Sequence, residues 1–286
     1  MSGTVVGPGV PREGAGRVAG RRSGSVGLTG ADRIAAAFAG SGKRAALMPY
    51  LMGGFPDLEG SRRVGEAYAQ AGADLVELGV PFSDPLADGP AIHAAATAAL
   101  GAGATLDGVL GVAEALAPRV AVVVMCYANP ILARGLDDFA GALASAGVSG
   151  VIVPDLPVEE GEDLREAMAA HGLALVPLVA PTTPDDRLAL AGEAARGFLY
   201  AVSVRGTTGE RESVAVDEVV GRAKRHTAVP VAVGFGIATP EQADAAARAG
   251  ADGVIVGSRM VRAAAEAADP AAAVRPLVEA FAEALS

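Results

Sequence analysis

The chain has 286 residues, of which 51% are hydrophobic and 20% charged, with a formal net charge of −10 and a mean hydropathy of +0.37. It is too apolar for a disordered chain and too acidic to coat nucleic acid or an anionic membrane surface, although a few backbone N–H groups suffice to hold one small anion. No run of apolar residues reaches the length of a membrane span, and the single cysteine, Cys126, excludes an internal disulfide and fits a reducing, cytoplasmic setting.

Residues 1–28, rich in Gly, Pro, Arg and Ser, read as a disordered tail. The Arg21-Arg22 pair within it lacks the apolar segment that an export signal needs. Residues 29–286 read as one domain, with an extra helix ahead of the first strand. Short apolar runs then alternate with Ala-rich helical stretches. The spacing predicts a strand at 45–52 and a helix at 58–71, a strand at 74–78 and helices at 91–100 and 106–116, then a strand at 120–126 and a helix at 136–146. It continues with strands at 150–153, 174–178, 197–202, 231–233 and 253–256, interleaved with helices at 159–171, 184–195, 216–225 and 240–249, and a helical region over 259–285. Gly72, Gly147, Gly172 and Gly250 fall where helices end, as left-handed caps require. The tetrapeptide Ala-Gly-Ala-Asp occurs at 71–74 and again at 249–252, one β–α unit repeated. Eight such units predict an α/β protein built as a single (β/α)8 TIM barrel, with an open doubly wound sheet as the alternative.

In a barrel the chemistry gathers in the loops after the strands. Two of those loops carry glycines that lead into helices: Gly234-Phe235-Gly236-Ile237 and Gly257-Ser258. Together with Gly209, they place free N–H groups and a hydroxyl where a phosphate sits in many barrels. The other reading is that these glycines only make tight turns. A phosphate site there would use backbone dipoles in place of many cations, which suits an acidic protein.

Absences narrow the reaction. The chain has two lysines, Lys43 and Lys224, and neither falls on a strand's C-terminal end, which argues against a Schiff base. His93, His171 and His226 lie apart, without metal-ligand spacing. What remains is carboxylate acid–base catalysis with a phosphate anchor. Glu77 stands inside an apolar strand, where burial raises a carboxyl towards neutrality; the alternative is a structural acid bonded to a neighbouring loop. Asp88, eleven residues on, is either a loop acid that closes over substrate or the cap of the helix near Pro90. Asp84 suits a turn and Asp155 a rim position or an Asx turn. Tyr200 is either core or a hydroxyl that meets the substrate or Glu77, and Tyr127 and Asn129 are open in the same way.

The segments VELGVPFSDPLADGPAI, CYANPI, VIVPDLPVEE, LVAPTTPDDRL, VGFGIATPEQA and VIVGSRMV resemble the tryptophan synthase alpha-subunit family, and the likeness runs from about Leu47 to Val261. That resemblance implies cofactor-free retro-aldol cleavage of indole-3-glycerol phosphate to indole and glyceraldehyde 3-phosphate. Under it Glu77 is the general acid and base, and Asp88 pairs with the indole N–H. Tyr200 stands beside the glutamate, Thr208 orders with the aspartate loop, and Gly209, Gly236, Gly257 and Ser258 bind phosphate. It also implies a pyridoxal-phosphate beta subunit that takes up indole in an α2β2 assembly, with Asp155 at the contact surface. A stand-alone lyase that needs no beta subunit is the alternative. Arg205, in the SVRGTTGER loop, departs from the family pattern, as does the tail.

Overall fold

The computed structural model describes residues 1–3, 27–202, 210–234 and 236–286. Thr208 and Gly209, like Arg205 and most of the predicted tail, lie outside the described residues.

The strands are β1 (Ala46–Met52), β2 (Leu75–Gly79), β3 (Ala121–Met125), β4 (Gly150–Ile152), β5 (Ala174–Val176), β6 (Leu178–Val179), β7 (Leu199–Val202), β8 (Val231–Gly234) and β9 (Gly253–Val256). All pairings are parallel, in the order β5-β4-β3-β2-β1-β9-β8-β7-β6. The two ends of that order, β5 and β6, are separated by Pro177 alone, so the sheet returns on itself as a TIM barrel. The single strand expected at 174–178 is therefore two. Proline has no N–H to give the ladder, but its carbonyl accepts the Tyr200 amide at 3.0 Å and carries the pairing across the break.

Other expectations shift for local reasons. The helical region at 259–285 is two helices, Ser258–Glu266 and Pro270–Leu285, with Asp269 capping the second through the Ala272 amide at 3.3 Å. The helix expected at 216 begins at Glu210. The one expected at 159–171 is a 3-10 turn, Val158–Glu160, followed by Glu162–Ala170. A short helix, Ala128–Arg134, has no counterpart in the sequence reading because seven residues hold too little periodicity.

Within the strands, side chains alternate. Ala46, Met48, Tyr50 and Met52 of β1 point into the barrel with Leu75, Val123, Met125, Ile152, Val176, Tyr200 and Ile255. Leu47, Leu51, Val76, Leu78, Val122 and Val124 pack outward under the helices. The expected extra helix is Gly30–Gly40, opened by a capping box between Thr29 and Asp32. It closes the barrel's N-terminal end: Ile34 is fully buried and Phe38 lies 5.7 Å from Phe198. A side chain at Gly197 or Gly253 would strike Ile34 or Phe38 at 2.8 and 2.7 Å, so small residues there make room for the plug. No single helix among the described residues is long and apolar enough to cross a membrane.

The repeated Ala-Gly-Ala-Asp has one structural meaning at both sites. Asp74, just before β2, accepts the Leu47 amide at 2.7 Å and Lys43 at 2.9 Å. Asp252, just before β9, accepts the Val231 amide at 2.8 Å and Lys224 at 2.8 Å. Both lysines of the chain are thus bound to aspartates at the barrel's N-terminal end, away from the loops that follow the strands.

Candidate active site

Glu77 is the third residue of β2, and the strand's alternation turns it inward, in register with Tyr50 of β1 and Val123 of β3. It is 1% exposed, and neither carboxyl oxygen has a hydrogen-bond partner among the described residues. Among the described residues, then, it is not bonded to a neighbouring loop, as the structural reading left open by the sequence would have it. Burial first, and then the charge of Asp88, push its carboxyl up to about 8. At neutral pH such a group is largely protonated, and it is ready both to donate and, once ionised, to take a proton back.

Asp88 lies on the loop between β2 and the helix Pro90–Gly101. That helix is capped by Gly89 with no side-chain bond, so Asp88 is not spent as a cap. Burial raises its carboxyl, while a hydrogen bond from Tyr127 and the nearby His93 pull the other way. Tyr127 organises this loop. Its hydroxyl also accepts the Ala87 amide at 3.0 Å, and its ring stacks on Phe82 at 5.2 Å. The neighbouring Asp84 accepts from Ser83 instead, a local turn contact.

Glu77 and Asp88 open into one cavity of about 760 Å³, within the range of small-molecule sites. Tyr50 and Tyr200 form its floor beside Glu77, and burial keeps both phenols protonated. Each lies against a glycine of the adjacent strand. A Cβ at Gly79 would sit 1.9 Å from the Tyr50 hydroxyl, and one at Gly234 would sit 2.1 Å from that of Tyr200. The glycines are what allow two large phenols inside the barrel beside a carboxyl.

The same cavity is lined by Gly236, Gly257 and Ser258. Gly236 has φ +90°, a left-handed conformation that favours glycine. Gly257 and Ser258 open the nine-residue helix Ser258–Glu266, and no side chain caps it, so the Ser258 and Arg259 amides at the cavity's edge are left unspent among the described residues. The structure thus brings six of the eight residues singled out from sequence, Glu77, Asp88, Tyr200, Gly236, Gly257 and Ser258, to one cavity.

Other candidates fall elsewhere. Asp155 accepts the Ala128 amide at 2.9 Å at the start of the helix Ala128–Arg134. His171 pairs with Asp137 on the outer surface, and His93 touches the site only through its charge on Asp88. No cluster of three or more His, Cys, Asp or Glu among the described residues is placed to hold a metal. Sequence reasoning passed over Tyr50, whose inward direction shows only in the strand's period of two. It also passed over Arg259 and Arg262, which follow the Gly-Ser pair directly.

Comparison with known proteins follows the same lines. The family model for the tryptophan synthase alpha chain matches residues 37–285. Tryptophan synthase alpha chain from Picosynechococcus is 45% identical over 247 residues, covering 84% of this chain and 94% of its own. That of Gloeobacter violaceus is 48% identical over 247 residues, covering 84% and 90%. Among solved structures, tryptophan synthase of Mycobacterium tuberculosis superposes with a TM-score of 0.82 at 41% identity, covering 88% of this chain and 98% of its own. The alpha chain of Legionella pneumophila gives 0.81 at 33% identity, covering 90% and 97%.

Proposed function

The chain belongs to the tryptophan synthase alpha chain family, and we propose that Glu77 and Asp88 carry its reaction, with Gly236, Gly257 and Ser258 seating the substrate phosphate. The reaction is the lyase step of that enzyme in tryptophan biosynthesis, in which indole-3-glycerol phosphate yields indole and glyceraldehyde 3-phosphate. The observation that carries the assignment is a buried, unpartnered carboxyl opening into the same cavity as a second acid and an uncapped helix start.

The steps follow from that placement. Neutral Glu77 gives its proton to C3 of the indole ring, which becomes an iminium. The Asp88 carboxylate holds the ring N–H and offsets the positive charge there. Glu77, now ionised, takes the proton from the hydroxyl on the carbon attached to C3. The C3–carbon bond breaks, its electrons return to the ring, and the carbonyl of glyceraldehyde 3-phosphate forms. One proton is given and one regained, so Glu77 ends as it began. Acid–base catalysis of this kind typically contributes about 10²–10⁴ in rate.

Tyr200 and Tyr50 wall the reacting end; the roles of Thr208 and Gly209, which lie outside the described residues, rest on the family resemblance. The catalytic unit is residues 29–286. Its partner is a beta subunit that takes up the indole in a cytoplasmic α2β2 assembly, and family membership supports this pairing. Indole release from indole-3-glycerol phosphate, measured with and without that subunit, tests the reading. Release that rises on adding the subunit is expected. A full rate without it sinks the partner requirement, and no release in either case sinks the reaction.

A further inference from the structure

The cavity that holds two acids must accept a phosphorylated substrate, and among the described residues its lining contains two cations, Arg259 and Arg262. Arg259 is the second residue of the helix Ser258–Glu266, directly after the phosphate-seating Ser258, and Arg262 follows one turn later. Several other arginines are held by carboxylates, Arg44 by Asp244, Arg62 by Glu59 and Glu66, Arg187 by Glu159 and Arg222 by Asp185, and the part-buried Arg33 by the Gly147 and Ala117 carbonyls. Arg259 and Arg262 make no hydrogen bond or ion pair among the described residues, and Arg259 is half-buried. A half-buried guanidinium with five donors and no partner is an incomplete arrangement. The unpartnered, buried Glu77 in the same cavity marks that cavity independently as built for a ligand.

We propose that Arg259 is a phosphate ligand of the substrate, closing on the dianion as a fork beside the Ser258 hydroxyl and the helix amides, and that Arg262 is an outer cation that draws the substrate in. This rests on the reading of the Gly236–Ser258 end as the phosphate seat, and deepens it. Backbone dipoles alone do not discriminate strongly between an anion and a neutral polar group. A planar guanidinium matches the oxygens of a phosphate two at a time. In a chain of net charge −10, with Glu77 and Asp88 in the same cavity, a local positive charge also offsets the repulsion that a dianion meets on entry. Arg259 is thus a specificity-determining residue and takes no part in proton transfer.

The test is steady-state lysis of indole-3-glycerol phosphate across a salt series, with inorganic phosphate and indole as competing probes. Arg259→Met should raise KM by about 10- to 100-fold, as expected for losing charge-assisted hydrogen bonds, and lower kcat by less. It should weaken inhibition by inorganic phosphate to a similar degree, leave inhibition by indole unchanged, and flatten the salt dependence of KM. Arg259→Lys keeps the charge without the fork, so it should give an intermediate KM and retain the salt slope. Arg262→Met should raise KM about threefold at low salt and not at high salt, as a solvent-exposed charge does. A merely structural Arg259 would not change the salt slope or separate phosphate from indole. If Arg259→Met leaves KM, phosphate inhibition and salt slope unchanged while Ser258→Ala weakens phosphate binding, the role of Arg259 is wrong and the phosphate seat stands. If neither substitution has an effect, the seat itself is wrong, and this inference falls with it.

Discussion

The two ends of the barrel handle charge in opposite ways. At the N-terminal end, both lysines are bound to aspartates, and each aspartate also takes a backbone amide from the neighbouring strand. Ile34 and Phe38 fill the opening. At the C-terminal end, Glu77 is buried and Arg259 half-buried, each with no partner among the described residues. One end has its charges paired in the free protein, whereas the other leaves them open, as the proposed substrate seat requires. The first set of residues stabilises the fold, and the second is maintained at a cost to it.

Glu77→Gln gives the largest expected effect, and it acts in two directions. Lysis should fall by about 10²–10⁴. Stability should rise in alkali. The ordinary glutamate value is 4.5 and that of buried Glu77 is about 8, so between these the unfolded chain releases a proton that the folded chain keeps, and stability falls as pH rises. The wild type should therefore lose roughly 3–5 kcal/mol from this group between about pH 4.5 and 8, and the Gln variant should lose none of it. Thermal melts at pH 5 and pH 9 check this. If the two proteins melt in parallel at both, the carboxyl is not held neutral.

Lys43→Met at the other end should do the reverse. It leaves Asp74, 11% exposed, without its cation, and should cost about 2–3 kcal/mol in a denaturant titration with kcat unchanged. A loss of activity in the folded variant would erase the division between the two ends. Gly234→Ala should cost roughly 1–3 kcal/mol by overpacking against Tyr200, and should also raise KM because that phenol walls the cavity. Tyr127→Phe should have the smallest effect. Losing the tie to Ala87 and Asp88 should lower kcat/KM about tenfold without lowering the melting temperature by more than a degree or two.

Much of this division was legible in the sequence. Glu77 stood out because an acid in an apolar strand needs a reason, and the Gly-Ser pair because it opens a helix after a strand. The two lysines were placed away from the chemistry by position alone. The repeated Ala-Gly-Ala-Asp was visible as a pattern, but its meaning as a lysine–aspartate–amide clasp needed the neighbouring strand. The break at Pro177 was overridden in the sequence reading because the apolar run on both sides reads as one strand. Tyr50 and Arg259 were missed for a shared reason. Each is an ordinary residue for its element, a tyrosine in a strand and an arginine on a helix, and only the cavity shows that both face the same space. The role of Tyr127 is non-local, joining a loop forty residues earlier in the chain.

The central claim is that one buried carboxyl, neutral at pH 7, makes both proton transfers. The most direct test is the pH dependence of kcat/KM for indole release from indole-3-glycerol phosphate. Glu77 must be protonated to begin, so activity should fall as pH rises through about 8, and this falling limb should be absent from the residual activity of Glu77→Gln. A profile that stays level well above that pH, or a limb that persists unchanged in the Gln variant, would contradict the account.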